Sequence, residues 1–239
     1  MITLHTIVKN EGRFVKAALL SALSSDEVER ALVWDTGSTD STVKQILSIK
    51  DKRIEFQQKG RMDRLGLVQL RKEQLKMTET AWLMLVDGDE IWPEKNLKKL
   101  ISVMKRCGSE TIALVNKTRN AVGDLYHYLP ESEGHYQIGS WRGHLNIRAI
   151  RNLPGLIVKG EYPDEWYEHE GKKIQDQPEK LKFVDTWYLH TTHLKRSGSW
   201  LSESLTVDRL KKHKWFINLR GVRSIQMDKQ EMPEALQKS

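Results

Sequence analysis

The run Trp82-Leu83-Met84-Leu85-Val86-Asp87-Gly88-Asp89 decides the fold. Five apolar residues in succession, followed at once by two carboxylates, are typical of a strand that is buried on both faces of a parallel sheet. Ligands of such sheets bind beyond the carboxyl ends of the strands, which is where Asp87 and Asp89 would lie. Two carboxylates one residue apart can share a divalent ion and the phosphates that it bridges. The alternative is a polar turn that caps the next helix.

Strand and helix patterns alternate on both sides of this run. Strands are expected at residues 3–8, 31–34, 53–56, 82–86 and 111–115, and helices at about residues 15–23, 40–47, 66–77 and from Pro93 onward. This alternation, with short connections, predicts an α/β fold of the Rossmann-like type: one doubly wound unit in which helices flank a mostly parallel sheet.

Two further strand ends carry acidic residues. Asn10-Glu11 follows the first strand, and Asp35 follows the second, at the start of the turn 35–42. An acid at this position is placed to accept hydrogen bonds from a base or a ribose, so we favour ligand binding for Asp35. Ser38 and Asp40 are instead expected to cap the helix behind the turn.

The second half of the chain is less regular. From about residue 117 the sequence predicts loops and short strands, with clearer strands at residues 145–150 and 187–190. Apolar residues at helical spacing predict a helix over residues 200–217. The last residues, 228–239, are polar and are expected to fray.

Charge and composition bear on the partners and the cellular location of the protein. The chain of 239 residues has a net charge of +7, and eight Lys or Arg residues lie between Lys195 and Arg223. Such a segment suits phosphates, in nucleotides, nucleic acid or an anionic membrane, or it is simply a solvated helix face. The single cysteine excludes an internal disulfide framework. No apolar run approaches the roughly 20 residues of a membrane span, and no signal-peptide pattern is present. We therefore expect a cytoplasmic location, with peripheral membrane or nucleic-acid contact left open.

Taken in order, Asn10-Glu11, the turn 35–42 and Asp87-Gly88-Asp89-Glu90 resemble the successive signatures of glycosyltransferase family 2. The resemblance covers about residues 1–115. It implies a GT-A fold and a UDP- or GDP-sugar donor, with transfer that inverts the anomeric carbon and depends on Mn²⁺ or Mg²⁺.

The resemblance also assigns roles to individual residues. Asp87 would face the donor ribose and sugar, and Asp89 would ligate the metal. The nucleoside would be held by Glu11 and Asp35, with Thr6 near the base, and the donor phosphates would be approached by Arg64 and Arg71.

The second half should supply the rest of the site. Inverting transfer needs a base for the acceptor hydroxyl, and the candidates are Asp164 and Glu165, which the sequence does not separate. A histidine after the last strand would complete the metal site, with His193 preferred and His190 second. Lys195 or Arg196 would neutralise the donor diphosphate.

Two other classes of protein compete with this interpretation. A nucleotidyltransferase would place a glycine-rich basic loop after the first strand, whereas the turn Lys9-Asn10-Glu11-Gly12 is short and acidic. A nucleic-acid-binding protein would fit the pI of about 9.3 and the basic, tryptophan-bearing C-terminal segment. The acids at three strand ends argue against it, because they repel phosphates unless a metal is present.

The expected organisation is one domain over residues 1–227, followed by a polar tail at 228–239. Residues 1–116 would form the nucleotide-sugar-binding half and residues 117–227 the acceptor-binding half. The acceptor would be a saccharide, a lipid-linked molecule or another hydroxyl compound. The Gln-x-x-Arg-Trp motif and the membrane helices of processive synthases do not occur, so a single sugar should be added per encounter.

Overall fold

The computed structural model describes residues 1–195 and 219–237. Its strands are β1 Ile2–Val8, β2 Val28–Asp35, β3 Ile54–Gln58, β4 Trp82–Leu85, β5 Glu90–Ile91, β6 Ala113–Asn120, β7 His127–Tyr128, β8 Tyr136–Ile138, β9 Trp141–Gly143, β10 Leu145–Arg151, β11 Ile157–Lys159, β12 Trp166–His169, β13 Lys172–Lys173, β14 Leu181–His190 and β15 Ile225–Gln226. Its α-helices are α1 Val15–Ala22, α2 Thr42–Leu47, α3 Arg64–Lys76, α4 Glu94–Arg106 and α5 Glu234–Gln237.

Eight strands form the central sheet, in the order β3-β2-β1-β4-β10-β6-β14-β5. β1 pairs in parallel with both β2 and β4, and β2 pairs in parallel with β3. β10 runs antiparallel to β4 and β6, and β5 runs antiparallel to β14. The predicted mostly parallel sheet flanked by helices is therefore confirmed, with two antiparallel strands inserted in its second half.

Both faces of the sheet are covered, which explains the unbroken apolar run of β4. Consecutive residues of a strand point to opposite faces. Met84 joins a buried cluster with α4 on one face, while Leu83 joins a cluster with Val68 of α3 on the other. The apolar face predicted for α4 is buried as expected, at Leu97, Leu100, Ile101 and Met104.

The start of α2 differs in part from the sequence-based expectation. The helix begins at Thr42, and Asp40 accepts a hydrogen bond from the Thr42 backbone N–H at 2.9 Å, as a residue ahead of a helix often does. Ser38 does not cap this helix. Its hydroxyl accepts a hydrogen bond from the backbone N–H of Asn10 at 2.8 Å and so joins two loops.

The C-terminal tail packs on the domain as far as residue 237, so the expectation of fraying was wrong over residues 228–237. Met227 and Met232 are buried with Phe14 of the loop before α1. Glu231 pairs with Arg119 at 2.7 Å, and the Glu94 backbone N–H donates to Glu234. Two buried methionines thus anchor the tail, and Ala235 and Leu236 pack against the same cluster.

Some expectations fall on residues that the structure does not describe. The helix predicted over residues 200–217, the side chain of Arg196 and most of the basic segment lie outside the described residues. Among the residues that are described, no helix is long and apolar enough to cross a membrane.

Candidate active site

The three acidic loops meet at the carboxyl edge of the sheet, as expected for parallel strands. The Glu11 backbone N–H donates to the Thr42 hydroxyl at 2.8 Å, and the Gly12 N–H donates to Asp40 at 3.0 Å. A Cβ atom at Gly88 would lie 2.9 Å from side-chain carbons of Glu11 and Val8. The middle residue of the Asp87-Gly88-Asp89 turn therefore has to be glycine for these loops to pack together.

The three residues expected near the nucleoside, Glu11, Asp35 and Thr6, are buried at this edge. Asp35 accepts hydrogen bonds from the backbone N–H groups of Gly37 and Ser38, each at 3.0 Å to Oδ2. Gly37 has a φ of +83°, a conformation that favours glycine. The Thr6 hydroxyl lies buried in β1 without a hydrogen-bond partner among the described residues. The Asp35 carboxylate thus stabilises its own turn, and a bound ligand would be a further partner.

Asp87 lies between two guanidinium groups. Arg71 of α3 approaches Oδ1 at 3.3 Å, and Arg148 of β10 donates to Oδ2 at 3.0 Å. The Arg71 side chain is only 12% exposed. Its Nη1 atom is buried without a hydrogen-bond partner among the described residues. A buried cationic donor without a partner is unfavourable in a finished core, and Nη1 of Arg71 is therefore able to donate to a negatively charged ligand.

Arg148 also pairs with the fully buried Glu90, in close contact through Nη2. Burial opposes the charge on Arg148, but attraction to Glu90 and Asp87 outweighs it and holds the Arg148 pKa well above its usual range. Burial raises the pKa of the Tyr188 hydroxyl, which contacts Arg148 at 3.3 Å. Arg148, Glu90 and Tyr188 were not predicted from the sequence to have a role in the site. For Arg148, the sequence signal was a charged residue in the interior of the largely apolar strand Leu145–Arg151.

Asp89 lies beside His190, with 3.4 Å between Asp89 Oδ2 and His190 Nε2. Both side chains are buried, and His190 is the last residue of β14. His193, the preferred ligand in the sequence analysis, lies buried in the turn that follows β14. Within residues 1–195 and 219–237, no group of three or more His, Cys, Asp or Glu side chains gathers around one point.

The donor chemistry of Asp89 and His190 fits a divalent ion. A carboxylate oxygen and an imidazole nitrogen are both ligands of Mn²⁺, and Mg²⁺ is commonly bound by one or two carboxylates together with substrate phosphates. Two protein ligands are therefore enough when the diphosphate of a nucleotide supplies others.

The two candidates for the general base, Asp164 and Glu165, differ in burial. Asp164 is exposed, whereas Glu165 is half-buried and its Oε2 atom is buried without a hydrogen-bond partner among the described residues. Burial raises the pKa of the Tyr167 hydroxyl to about 12, and the nearby Glu165 contributes to this rise. Arg71 and Asp87 also act on the pKa of this hydroxyl.

The remaining predicted residues lie nearer the surface. Arg64, the first residue of α3, is 44% exposed and lies 3.9 Å from Glu161. Lys195 is exposed, and its backbone carbonyl accepts a hydrogen bond from Arg13 at 2.8 Å. Neither contact joins these side chains to Asp87 or Asp89.

The fold and the carboxyl-edge site together define a GT-A-like α/β domain. Residues 3–164 match the family model described as glycosyl transferase family 2. The chain belongs to glycosyl transferase family 2.

Two solved structures of TarS agree with this fold. TarS 1–349 of S. aureus aligns with a TM-score of 0.54 at 16% identity, over 80% of this chain and 60% of that chain. Its complex with UDP-GlcNAc aligns with a TM-score of 0.55 at 16% identity, over 83% and 59%. Glucosyl-3-phosphoglycerate synthase from Mycobacterium tuberculosis, with Mn²⁺, UDP and glucosyl-3-phosphoglycerate, gives 0.49 at 15% identity, over 80% and 71%. The chain thus spans about 60% of the length of TarS 1–349, and no curated protein matches it.

Proposed function

We propose that this chain is a non-processive inverting glycosyltransferase, which moves a sugar from a nucleotide-diphosphate sugar to an acceptor hydroxyl with Mn²⁺ or Mg²⁺. One observation carries the proposal: two carboxylates of the same turn at the carboxyl edge of the sheet have different kinds of partner. Asp89 pairs with the imidazole of His190, and Asp87 pairs with the guanidinium of Arg71. The first pair suits a cation and the second provides cationic donors for phosphate. Both are what a nucleoside diphosphate with a divalent ion requires.

Arg71 is the strongest candidate for the donor phosphates. Its buried Nη1 donor would bind a phosphate oxygen, while Nη2 stays on Asp87. Charge-assisted hydrogen bonds to phosphate are about twice as strong as neutral ones. Arg64, Lys195 and Arg196 remain proposed as outer contacts to the same diphosphate.

The nucleoside would lie over the loops after β1 and β2. Glu11 and Asp35 are proposed to accept hydrogen bonds from it, with the buried Thr6 near the base. A uridine nucleotide is the first choice, because TarS, which shares the fold, has been solved with UDP-GlcNAc. A GDP-sugar is the alternative.

Asp89 and His190 would hold the divalent ion, and His193 remains the second histidine. When bound, this ion would neutralise negative charge on the departing diphosphate. Asp87 would contact the donor ribose and sugar, and Arg148 keeps its carboxylate in place at 3.0 Å.

Glu165 is proposed as the general base, and Asp164 is the alternative. The acceptor oxygen forms a bond to the anomeric carbon while the bond from that carbon to the diphosphate oxygen breaks. The electron pair of that bond leaves with the diphosphate, and the hydroxyl proton passes to the carboxylate. A half-buried carboxylate with one buried oxygen suits this role better than an exposed one.

A panel of UDP- and GDP-sugars tests the proposal without knowledge of the acceptor. We expect slow hydrolysis of at least one donor in the presence of Mn²⁺, with NMR showing that the released sugar has the inverted anomeric configuration. No hydrolysis and no nucleotide binding across the panel would contradict it. Retention of configuration would contradict the inverting mechanism alone.

A further inference from the structure

A chain of hydrogen bonds reaches His190 from the side away from Asp89. The carbonyl oxygen of Pro130 lies 3.1 Å from His144 Nε2, and His144 Nδ1 lies 3.0 Å from Asn120 Nδ2. Asn120 Oδ1 lies 3.2 Å from His190 Nδ1. Asn120 and His190 are register partners at the ends of β6 and β14, so the backbone pairing itself holds the two side chains together.

The first member of this chain determines the direction of every later hydrogen bond. A carbonyl oxygen only accepts, so His144 carries a proton on Nε2. Burial is the largest cause of the lowered His144 pKa, and it favours the neutral ring. His144 Nδ1 is then an acceptor, and the amide of Asn120 has to present its Nδ2 donor to it.

The same amide therefore presents its oxygen to His190. Because Asn120 Oδ1 only accepts, the proton of neutral His190 lies on Nδ1, and the lone pair of Nε2 points towards Asp89. The opposite arrangement would need either a charged, desolvated His144 or two lone pairs facing each other at the Pro130 carbonyl. A lone pair 3.4 Å from a carboxylate oxygen is unfavourable unless a proton or a metal cation lies between them, and in the neutral ring with its proton on Nδ1 only a metal cation remains.

We propose that Asn120 and His144 are positioning residues, which hold the proton of His190 on Nδ1 so that Nε2 serves as a metal ligand beside Asp89. This inference rests on the metal site of the proposed function. Outer-shell partners that fix a histidine in this way typically contribute about 10- to 100-fold to metal affinity.

The direct test is long-range ¹H–¹⁵N NMR of the His190 ring in the metal-free protein, at a pH at which that ring is neutral. We expect the proton on Nδ1 in the wild type and a shift towards Nε2 in Asn120→Leu, which has no acceptor. Asn120→Asp retains an acceptor oxygen and should keep the proton on Nδ1. If Asn120→Leu does not fold, the tautomer of the wild type still decides the inference.

Metal affinity gives the second readout, by calorimetric titration of Mn²⁺ in the presence of UDP. Asn120→Leu should weaken Mn²⁺ binding by about 10- to 100-fold. The matched control Asn116→Leu, which removes another buried amide from β6, should change it little.

Two results would overturn the inference: a proton on Nε2 of neutral His190 in the wild type, or equal Mn²⁺ affinity in Asn120→Leu and the wild type. A third result is that the wild type binds no Mn²⁺ although His190 carries its proton on Nδ1. It would contradict the metal dependence of the proposed function and confirm the tautomer.

Discussion

Arg148 donates to Asp87 at 3.0 Å, across 61 positions of sequence, and thereby ties the antiparallel strand β10 to the loop after β4. The same guanidinium neutralises the fully buried Glu90. One side chain thus compensates two carboxylates of the Asp87-Gly88-Asp89-Glu90 turn. Without it, Asp87 would keep Arg71 as a partner, but the buried Glu90 would lose its cation.

Removing Arg148 should destabilise the protein strongly. In Arg148→Met the carboxylate of Glu90 is left buried without its cation, and breaking a buried pair typically costs about 3–5 kcal/mol. Urea denaturation measures the free energy of unfolding. The double variant Arg148→Met/Glu90→Gln should recover much of the loss, because it removes both charges. Equal stability of the single and double variants would show that Glu90 is not the group that Arg148 compensates.

His5 should make the protein less stable in mild acid. Burial, with a smaller contribution from Arg71, lowers the His5 pKa to about 3 from 6.5, so the folded state excludes a proton that the unfolded state binds. Its contribution is fully present above pH 6.5 and is lost as the pH falls from 6.5 towards 3. Between about pH 6.5 and about pH 5 this amounts to about 2 kcal/mol.

The measurement is urea denaturation of the wild type and of His5→Gln at about pH 7 and about pH 5. Glutamine does not titrate but can still bond to Thr78, which lies 2.6 Å from His5 Nε2. The loss between the two pH values should be smaller by about 2 kcal/mol in the variant. The same loss in both proteins would exclude His5 as its source.

Arg71→Met should weaken UDP binding more than Arg64→Met. Arg71 is 12% exposed with a buried donor, whereas Arg64 is 44% exposed and water competes for it. A hydrogen bond from a charged group contributes about 1.5–3 kcal/mol, which is about 10- to 100-fold in the dissociation constant. Titration calorimetry with UDP and Mn²⁺ compares the two. A larger loss in Arg64→Met would move the phosphate site towards the start of α3.

Glu165→Gln should remove transfer and leave UDP binding unchanged, because a general base acts on the chemical step and contributes little to ground-state binding. We expect turnover to fall at least about 100-fold, the low end for such a base. Asp164→Asn is the matched control at the neighbouring position and should retain most activity. If Asp164→Asn is the inactive variant, the base is Asp164 and the buried Oε2 of Glu165 has another role.

The sequence predicted the parallel half of the fold well because its signals are local. The apolar run before Asp87 and the spacing of Leu97 and Ile101 in α4 depend only on neighbouring positions. The ends of β1, β2 and β4 then had to meet, since parallel strands share an edge.

The missed residues act through contacts between distant parts of the chain. Arg148 and Asn120 lie on strands whose pairing partners are not readable from local pattern, so their contacts to Glu90 and His190 could not be derived. The prediction for the C-terminal tail failed for the same reason. Its polar residues predicted fraying, while the burial of Met227 and Met232 depends on a surface formed by α1 and β14.

The central claim is that Asp89 holds a divalent ion that nucleotide binding requires, and calorimetric titration of UDP and GDP with Mn²⁺ and with EDTA tests it most directly. We predict that the wild type binds one of the two nucleotides in Mn²⁺ and loses that binding in EDTA, and that Asp89→Ala behaves in Mn²⁺ as the wild type does in EDTA. His190→Ala should weaken binding in Mn²⁺ more than His193→Ala, since His190 lies 3.4 Å from Asp89. Equal nucleotide affinity in Mn²⁺ and in EDTA would contradict the account.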